Sequence, residues 1–422
     1  MVPQLRAIFT PSSFPMHVSR LTTLDPAVLA PADWNRLAGA PFQTREWLST
    51  WWKHYGPATA EDQRRRELFL LCVRDAEGSL VGLAPWYLEH RLAFGRVVRQ
   101  LGDGDVCSDY LGILSAPDCE RAVAAALADW MTQARGADRW DLLNFDEVDP
   151  TDLCLATFFD AMRKRRSLLH VRAGSSCWRV DFNGDWEDYL ATFSKGHRKQ
   201  IRRLERGALE DGRARLRQAV TREDAARGMD ILIDLHQRRW RSLGDCGCFD
   251  SPRFTAFHRE VVEAMRSIGA LRLSWLEYEG QPVAAEYHLG RGGVVYAYQS
   301  GVDPDQLDLE PGRMIAVATI KQALDEGYAS FDFLRGDESY KPHWRAVPQR
   351  MVRLRIVPAR FTSQCRHRLW LAVQAARQWW KSFGAERIET TLPAKPQTVE
   401  ADAPAQPESS PEIAVGELVE SR

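Results

Sequence analysis

The chain has 422 residues, of which 45% are hydrophobic and 27% are charged. This length is typical of two or three domains with a large buried core, and the composition is that of an ordinary soluble protein. The net charge of −1 predicts no overall attraction to nucleic acid or to an anionic membrane, so electrostatic recognition has to be local. No apolar run reaches the length of about 18 residues that a membrane span needs. The N-terminus also lacks the apolar core of a signal peptide, so we expect a cytoplasmic protein, at most peripheral to a membrane.

The eight cysteines are scattered along the chain. Cys246 and Cys248 form the one close pair, and no nearby residues complete the usual spacing of a zinc site. We therefore expect reduced, mostly buried thiols and no metal.

Two α/β blocks, residues 20–175 and 176–360, follow a segment of residues 1–19 that we expect to be loose. Hydrophobic patterning and turn signals place helices and strands in both blocks. In the first block we expect helices at 46–55 and 122–131 and strands at 68–73, 80–88 and 140–145. In the second we expect helices at 230–243 and 313–326 and strands at 271–278, 282–289, 294–300 and 331–334.

Two short sequences recur in the same order in both blocks. The turn at Glu77-Gly78 corresponds to that at Glu279-Gly280, and DLLNFDE at 141–147 corresponds to DFLRGDE at 332–338. The repetition favours a duplicated fold of the mixed α/β (α+β) class. Chance recurrence of short apolar strands and EG turns is the alternative.

The C-terminal region differs from both blocks. Residues 361–388 predict a basic amphipathic helix, which could lie on a membrane surface or cap the second block with its tryptophans inside. Residues 389–422 are acidic and rich in proline, and we expect them to be disordered.

The sequence Pro311-Gly312-Arg313 predicts a loop that leads into a helix. Proline suits a first helical turn because its missing N–H costs nothing there, and Gly312 lets a ligand approach the backbone. Free amides at the start of a helix, with Arg313 beside them, attract anions. The pattern predicts a site for the pyrophosphate of a nucleotide-like cofactor, although an ordinary turn has the same residues.

Charged and aromatic residues crowd the end of the last predicted strand, in the sequence FDFLRGDESYKPHW of residues 331–344. A short buried strand around Asp332 leads directly into Arg335, Asp337 and Lys341. Side chains at a strand end reach a cleft while their backbone stays fixed, so we expect chemistry here.

A carboxylate in the middle of the strand at 282–289 is a second candidate. Glu286 lies among small residues, where its pKa could be raised so that it acts as a general base. A solvent-facing glutamate on a half-exposed sheet is the alternative, and the sequence leaves both open.

The segment 194–206 predicts a helix with a broad basic stripe. Its cations are spaced three and four residues apart, and one acid balances them. The stripe could bind phosphates of a nucleotide-linked substrate or an RNA backbone, or it could be a solvated face. The cations are Lys195, Arg198, Lys199, Arg202, Arg203 and Arg206.

The order of these motifs resembles that of a known family. S-K-x-x-R-K-x-I-R-R at 194–203 precedes a Trp-bearing helix, E-G-x-P-V-A-A at 279–285, Y-x-Y-x-S-G-x-D at 296–303, L-x-P-G at 309–312 and F-D-F-L-R-G-D-E-x-Y-K-x-x-W at 331–344. The sequence is similar to the branch of the GNAT superfamily typified by CelD-like acetyltransferases of bacterial cellulose and exopolysaccharide biosynthesis, which is related to the FemAB aminoacyltransferases. The resemblance covers residues 178–358 strongly and the first block more weakly.

The resemblance implies tandem GNAT-like folds, each a mixed sheet flanked by helices, with catalysis in the second. It implies transfer of an acyl group from acyl-coenzyme A, such as acetyl-CoA, to an amine of a small molecule or glycan precursor. The loop departs from the family pattern Gln/Arg-x-x-Gly-x-Gly/Ala in having a single glycine.

The resemblance also implies roles for individual residues. Glu286 or Asp332 would take the proton from the amine. The expected catalytic residues are Glu286, Asp332, Asp337 and Lys341. The expected coenzyme-binding residues are Pro311, Gly312, Arg313, Arg335 and Tyr340. The expected substrate-binding residues are Arg198, Arg202, Trp240 and Trp344.

Two alternatives stay open. A FemAB-like aminoacyltransferase would take its donor from aminoacyl-tRNA, with the basic stripe on the RNA; no other nucleic acid is expected as a partner. A non-catalytic module of a polysaccharide-synthase assembly would use residues 361–383 to contact the synthase or the membrane surface. The first block lacks the Pro-Gly-Arg turn and the Tyr-Lys pair, so we expect it to be structural or to help form the acceptor cleft.

Overall fold

The computed structural model describes residues 16–207 and 212–389. We call residues 16–181 the N-terminal half; its elements are β1 (His17–Leu21), α1 (Pro31–Leu37), α2 (Arg45–Tyr55), α3 (Ala60–Arg65), β2 (Arg66–Arg74), β3 (Leu80–Arg91), β4 (Gly95–Gln100), β5 (Leu114–Ser115), α4 (Glu120–Gln133), β6 (Leu142–Val148), α5 (Leu153–Lys164) and β7 (Leu168–Asp181). The described part of residues 182–357 is the C-terminal half, with α6 (Trp186–Ala191), α7 (Lys195–Glu205), β8 (Ala214–Gln218), α8 (Arg222–Ser242), α9 (Pro252–Ser267), β9 (Leu271–Tyr278), β10 (Gln281–Arg291), β11 (Val294–Val302), α10 (Pro311–Asp325), β12 (Ser330–Arg335) and β13 (Val347–Val357). Helix α11 (Phe361–Glu389) follows.

Local sequence explains where several elements begin and turn. The side chain of Thr44 accepts a hydrogen bond from the amide of Trp47 at the start of α2, and Ser194 caps α7 in the same way. The two repeated EG turns have the same backbone at glycine: φ is +83° at Gly78 and +83° at Gly280. Glycine adopts this left-handed conformation without steric cost, so each EG pair closes a hairpin.

The strands form one sheet with a nearly symmetric order. From edge to edge it runs β1-β2-β3-β4-β6-β13-β7-β12-β11-β10-β9-β8, with the short β5 paired to β3. Five strands of the N-terminal half thus mirror five of the C-terminal half around a central pair. In both halves the parallel contact occurs at the same place, between β4 and β6 and between β11 and β12. The fold is therefore a tandem of two similar mixed α/β halves that are joined in one sheet flanked by helices, and the repeated sequences predict this duplication.

The central pair of strands is exchanged between the halves. β7 ends the N-terminal half but pairs with β12 of the C-terminal half, and β13 ends the C-terminal half but pairs with β6 of the N-terminal half. β7 and β13 also pair with each other over a long antiparallel stretch. The predicted block boundary at 175/176 lies inside β7, so the sheet is continuous across it.

Tryptophans of α2 belong to the core. Trp47 and Trp51 are buried in the larger hydrophobic cluster, which also contains Phe257 and Tyr287 of the C-terminal half. A second cluster lies between the other face of the C-terminal strands and α10, and includes Phe331. The two halves therefore share one core on the α2 and α9 face, which favours a fixed arrangement between them.

The remaining sequence predictions have mixed outcomes. The predicted helices and strands of both blocks are present, with bounds that shift by a few residues, except that the helix expected from residue 230 begins at Arg222. The expectation of a loose segment at 1–19 is wrong for residues 17–19, because β1 pairs with β2 from His17 onward; residues 1–15 lie outside the described part. The predicted disordered tail at 389–422 also lies outside it, except for Glu389, which is the last residue of α11.

The chain divides into two compact units, with the boundary after residue 368. The first contains both halves and the start of α11, and the second contains the rest of that helix. Within the described residues, no helix has the length and apolar character needed to cross a membrane.

Candidate active site

β11 and β12 run parallel but part from each other soon after they meet. Their paired register ends at Tyr296 opposite Asp332. Beyond this point β11 continues beside β10 as far as Val302, whereas β12 follows β7 and then enters a loop. Backbone groups at the two facing edges lose their ladder partners where the strands diverge, so a gap with available N–H and C=O groups opens in the sheet.

A β-bulge on β11 lies at the edge of this gap. Tyr287 pairs with Gln299 and His288 pairs with Ala297, so Tyr298 is an extra residue on β11. A bulge turns backbone groups out of the ladder and is frequent beside active sites. Amides presented in this way can polarise the carbonyl of an acyl group.

A cavity of about 790 Å³ occupies the region of the gap. Ligand sites in proteins commonly have about 300–1,000 Å³, so the cavity can hold a coenzyme arm and part of an acceptor. Its walls come from both faces of the sheet. On the α10 face they include His197, Glu286, His288, Gly312, Arg313 and Ala316, and on the α8 face Asp105, Cys107, Asp109, His236, Trp240, Cys248 and Tyr298.

The start of α10 lines the cavity, and this helix begins at Pro311, as the Pro311-Gly312-Arg313 pattern predicts. Pro311 occupies the first turn, and the amide of Gly312 has no acceptor among the described residues. Arg313 forms an ion pair with Glu310 at 2.5 Å and faces His197. Burial and the charge of Arg313 lower the pKa of His197, which indicates a positive potential here.

Glu286 of β10 lies on the α10 face of the cavity. Its side chain is buried, its Oε2 is 2.7 Å from the hydroxyl of Thr319, and the same oxygen is 3.2 Å from Nε2 of His288. Both of these protein contacts are to Oε2. Because the carboxylate also lines the cavity, it is placed to accept a proton from a bound group.

Asp332 lies at the parting of the strands, but it faces the N-terminal half. Its carboxylate is fully buried, 2.5 Å from the hydroxyl of Tyr110 and 2.7 Å from the amide of Leu334. Burial raises the pKa of Asp332 to about 6. It is not among the cavity residues, so it is further from a ligand than Glu286.

Arg335 follows β12 and also contacts the N-terminal half. Its Nε donates to Asp109 at 2.6 Å and its guanidinium donates to the carbonyl of Ser108 at 3.0 Å. The guanidinium is thus engaged by protein oxygens, at the wall of the cavity.

Lys341 is bound to the loop that precedes it. Its side chain is 1% exposed, and its ammonium donates to the carbonyls of Leu334, Arg335 and Gly336 at 2.9–3.0 Å. It also forms an ion pair with Glu338 at 2.8 Å. The lysine lines the cavity together with Gly312, but its ammonium donates its hydrogen bonds to the loop.

The other members of the 331–344 sequence differ in exposure. Tyr340 is half exposed and lines the cavity, and Trp344 is buried in its wall. Asp337 is exposed, accepts a hydrogen bond from Nε1 of Trp178 at 3.0 Å, and lies outside the cavity. The structure therefore brings most, but not all, of this motif to the site.

The basic stripe on α7 is partly neutralised by acids that are distant in sequence. Arg202 pairs with Glu187, and Arg203 pairs with Glu310 at the start of α10. Arg198 is half-buried, and neither Arg198 nor Arg202 is among the cavity residues. Their predicted binding of substrate would therefore have to occur outside the cavity.

Sequence reasoning placed Trp240 at the site but missed its neighbours on the α8 face. Trp240 is 40% exposed at the cavity, where residues 105–109 of the N-terminal half meet His236 and Cys248. One signal was present, because GDGDVCSDY at 102–110 is a dense polar run between two regular elements. Within the described part of the chain, no group of acids, histidines and cysteines could hold a metal ion.

A match to a protein family covers the part of the site that the C-terminal half of the chain contributes. Residues 195–342 match the family described as Acetyltransferase (GNAT) domain. This stretch is a GNAT-type acetyltransferase domain. It contains α10, β10, β11 and β12, so the cavity at the parted strands belongs largely to the GNAT domain. No curated protein matches the chain significantly.

Solved structures agree with the fold. FemX superposes with a TM-score of 0.56 at 12% identity, over 80% of this chain and 96% of its own. Two others are similar over comparable lengths, with TM-scores too low to carry an argument: the C-terminal domain of a putative lysylphosphatidylglycerol synthetase from Agrobacterium fabrum (TM-score 0.45, 11% identity, 79% and 94% covered) and a tandem GNAT protein from the clavulanic acid biosynthesis pathway (0.40, 14%, 81% and 98%). These likenesses concern the fold alone.

Proposed function

We propose that the GNAT domain transfers an acyl group from acyl-coenzyme A to an amine. The observation that carries this proposal is the cavity at the parted strands, because the start of α10 and the bulge of β11 line it together. A diphosphate would bind the free amide of Gly312 and the side chain of Arg313. The thioester carbonyl would then lie where backbone amides at the gap stabilise the developing oxyanion.

The chemistry needs no nucleophile from the protein if the amine attacks directly. The amine nitrogen forms a bond to the thioester carbon, the carbon–sulfur bond breaks, and coenzyme A leaves as the thiol. Glu286 is the carboxylate on the cavity wall and would take the surplus proton of the ammonium form. Asp332 would fix the end of β12 through Tyr110 rather than contact the substrate.

The acceptor would enter on the α8 face. Asp105 and Asp245 are exposed carboxylates of the cavity there, and Trp240 offers an exposed indole beside them. Acids and an aromatic face together favour a cationic amine. An amino group on a glycan precursor has this chemistry, which fits the resemblance to CelD-like enzymes.

Calorimetry with acetyl-CoA tests the donor. Gly312 has an ordinary helical backbone, and a Cβ there would lie 3.1 Å from Cγ1 of Val302, so a larger residue needs only a small shift. Gly312→Glu places a negative charge at the phosphate end and should weaken binding of acetyl-CoA by at least about tenfold. Gln133→Glu on α4 adds the same charge far from the cavity and should leave binding unchanged. Equal affinity of both variants for acetyl-CoA would overturn the proposed donor site.

Aminoacyl-tRNA is the second candidate donor, because the fold is shared with FemX. The stripe on α7 would then contact RNA phosphates. Binding of an aminoacyl-tRNA should weaken steeply as salt rises, since each neutralised phosphate releases counterions. Tight, salt-sensitive binding of aminoacyl-tRNA together with no binding of acetyl-CoA would favour this candidate over the first.

A further inference from the structure

Cys248, His236 and Gln237 form a connected row on the α8 wall of the cavity. The thiol of Cys248 is 3.6 Å from Nε2 of His236, and Nδ1 of His236 is 3.1 Å from Oε1 of Gln237. His236 and Gln237 are 3% and 6% exposed, so their arrangement is enclosed by protein. If the acyl group is transferred directly to the amine, these three residues have no role in the reaction.

The hydrogen bonds determine which ring nitrogen of His236 carries the proton. The amide nitrogen of Gln237 donates to the carbonyl of Cys246 at 2.7 Å, so its oxygen is the atom that faces the ring. That oxygen accepts from Nδ1–H, which leaves Nε2 unprotonated towards the thiol. His236 is therefore oriented as a base for Cys248.

Both His236 and Cys248 are in their neutral forms near pH 7. Burial lowers the pKa of His236, so the ring is neutral near pH 7. Burial raises the pKa of the Cys248 thiol to about 12, so the thiol keeps its proton until a base removes it. The side-chain amide of Gln299 donates to the sulfur at 3.4 Å and would stabilise the thiolate that forms.

The row lies beside the gap where the donor carbonyl is expected. Gln299 is three positions beyond Tyr296, the last residue of β11 that pairs with β12. Gly247 brings the chain across the row, because a Cβ at this position would lie 2.5 Å from Oε1 of Gln237. Position 247 therefore has no room for a side chain, which explains the glycine between the two cysteines. The second of them, Cys248, lines the cavity.

We infer that Cys248 accepts the acyl group from the thioester donor before it reaches the amine, which rests on the proposed acyltransfer function. The thiol proton moves to Nε2 of His236, the sulfur bonds to the acyl carbon, and the donor carbon–sulfur bond breaks. The departing thiolate takes the proton from the imidazolium. In the second step Glu286 takes the surplus proton of the ammonium form, the amine nitrogen bonds to the acyl carbon, and the bond between that carbon and the sulfur of Cys248 breaks. The remaining amine proton passes through His236 to this sulfur, which restores the free thiol.

Acylation without an acceptor tests this inference. The full chain is mixed with acetyl-CoA or with S-acetyl-N-acetylcysteamine, a thioester without phosphates, then quenched in acid and analysed by intact mass and peptide mapping. We expect one acetyl group on Cys248 from both donors and none in Cys248→Ser. His236→Asn should slow acylation by about a hundredfold. Cys365→Ala removes an exposed cysteine of α11 and should behave like the unmodified chain.

The two donors separate the failure of this inference from that of the proposed function. If acetyl-CoA binds in calorimetry but neither donor acylates Cys248 on rapid quenching, the relay is wrong and direct transfer stands. If the truncated thioester acylates Cys248 while acetyl-CoA does not bind, the thiol site stands and the coenzyme site is wrong. Acylation of Cys107, which lines the same cavity, in place of Cys248 would also overturn the inference. Binding of acetyl-CoA by Cys248→Ser shows that this variant is folded.

Discussion

The Nε of Arg335 lies 2.6 Å from Oδ1 of Asp109, and the pair joins the end of β12 to a loop of the N-terminal half. The Asp109 side chain is 1% exposed and that of Arg335 is 26% exposed. Burial raises the pKa of Asp109, and Arg335 opposes this shift through its charge and hydrogen bonds. The pair holds residues of the N-terminal half against the cavity, so that half takes part in building the site.

Breaking this pair should strongly destabilise the protein. Arg335→Ala leaves a buried carboxylate without its cation, which typically costs about 3–5 kcal/mol. Urea denaturation of Arg335→Ala, Asp109→Ala and the double variant measures the cost and the coupling. As a control, Lys164→Ala removes a cation from the exposed pair with Asp160 and should cost less than about 1 kcal/mol. Additive losses in the double variant would show that the two side chains do not stabilise each other.

Asp332 should make stability depend on pH. Its pKa is about 6 in the folded protein, above the value of about 3.9 for an unfolded aspartate. The folded state therefore binds more protons between these values, and the free energy of unfolding should fall by about 2 kcal/mol as pH rises from 4 to 7. In Asp332→Asn this contribution is absent. Urea titrations at several pH values between about 4 and 7 compare the slopes, and parallel slopes in both proteins would contradict the assignment.

Lys341 should act on the loop rather than on the donor. Lys341→Met keeps the aliphatic stem but removes the ammonium that binds three carbonyls, so we expect a loss of about 3 kcal/mol in the free energy of unfolding. The affinity of the folded variant for acetyl-CoA should stay within about threefold of the unmodified chain, because the ammonium is already bound by the loop. Unchanged stability with much weaker donor binding would instead place the ammonium on the donor phosphates.

Glu286 should affect turnover rather than binding. Glu286→Gln keeps the shape and the contact with Thr319 but removes the proton acceptor, so kcat should fall by about a hundredfold while the Kd for acetyl-CoA stays constant. Thr319→Val removes the hydroxyl at 2.7 Å without changing the carboxylate and should have a smaller effect. Steady-state kinetics with an amine that the protein acylates give kcat, and calorimetry gives the Kd for acetyl-CoA. A Glu286→Gln enzyme with full turnover would exclude the carboxylate as the base.

Gly247 should control the reactivity of Cys248. Gly247 has φ of +65° and Gly244 has φ of +83°, so alanine at either position bears a similar backbone strain. Only at Gly247 would the new Cβ collide with Gln237, since nothing lies within 4 Å of a Cβ at Gly244. Alkylation of Cys248 by iodoacetamide at neutral pH should be about tenfold slower in Gly247→Ala. Gly244→Ala is the control, and equal rates in the two variants would mean that the row does not activate the thiol.

Local patterns predicted those parts of the site that are close in sequence. Gly312 and Lys341 line one cavity, as the strand-end and helix-start patterns suggested, because α10 and β12 are consecutive elements of one parallel unit. The roles of the charged side chains were harder to predict. Lys341 was expected to be catalytic and Arg335 to bind the coenzyme, but protein oxygens that are not evident from spacing engage both.

The amino-acid sequence by itself determined the elements, the repeated order of the two halves and the position of the glycine-led helix start, because periodicity, caps and turn residues act over a few neighbouring positions. Only the tertiary structure decided that β7 and β13 change places, that residues 105–109 reach a site formed mainly by the other half, and that Cys248 meets His236. Such contacts join residues that are far apart in the chain and depend on how the two halves pair within one sheet and pack as a whole. No local pattern encodes that pairing.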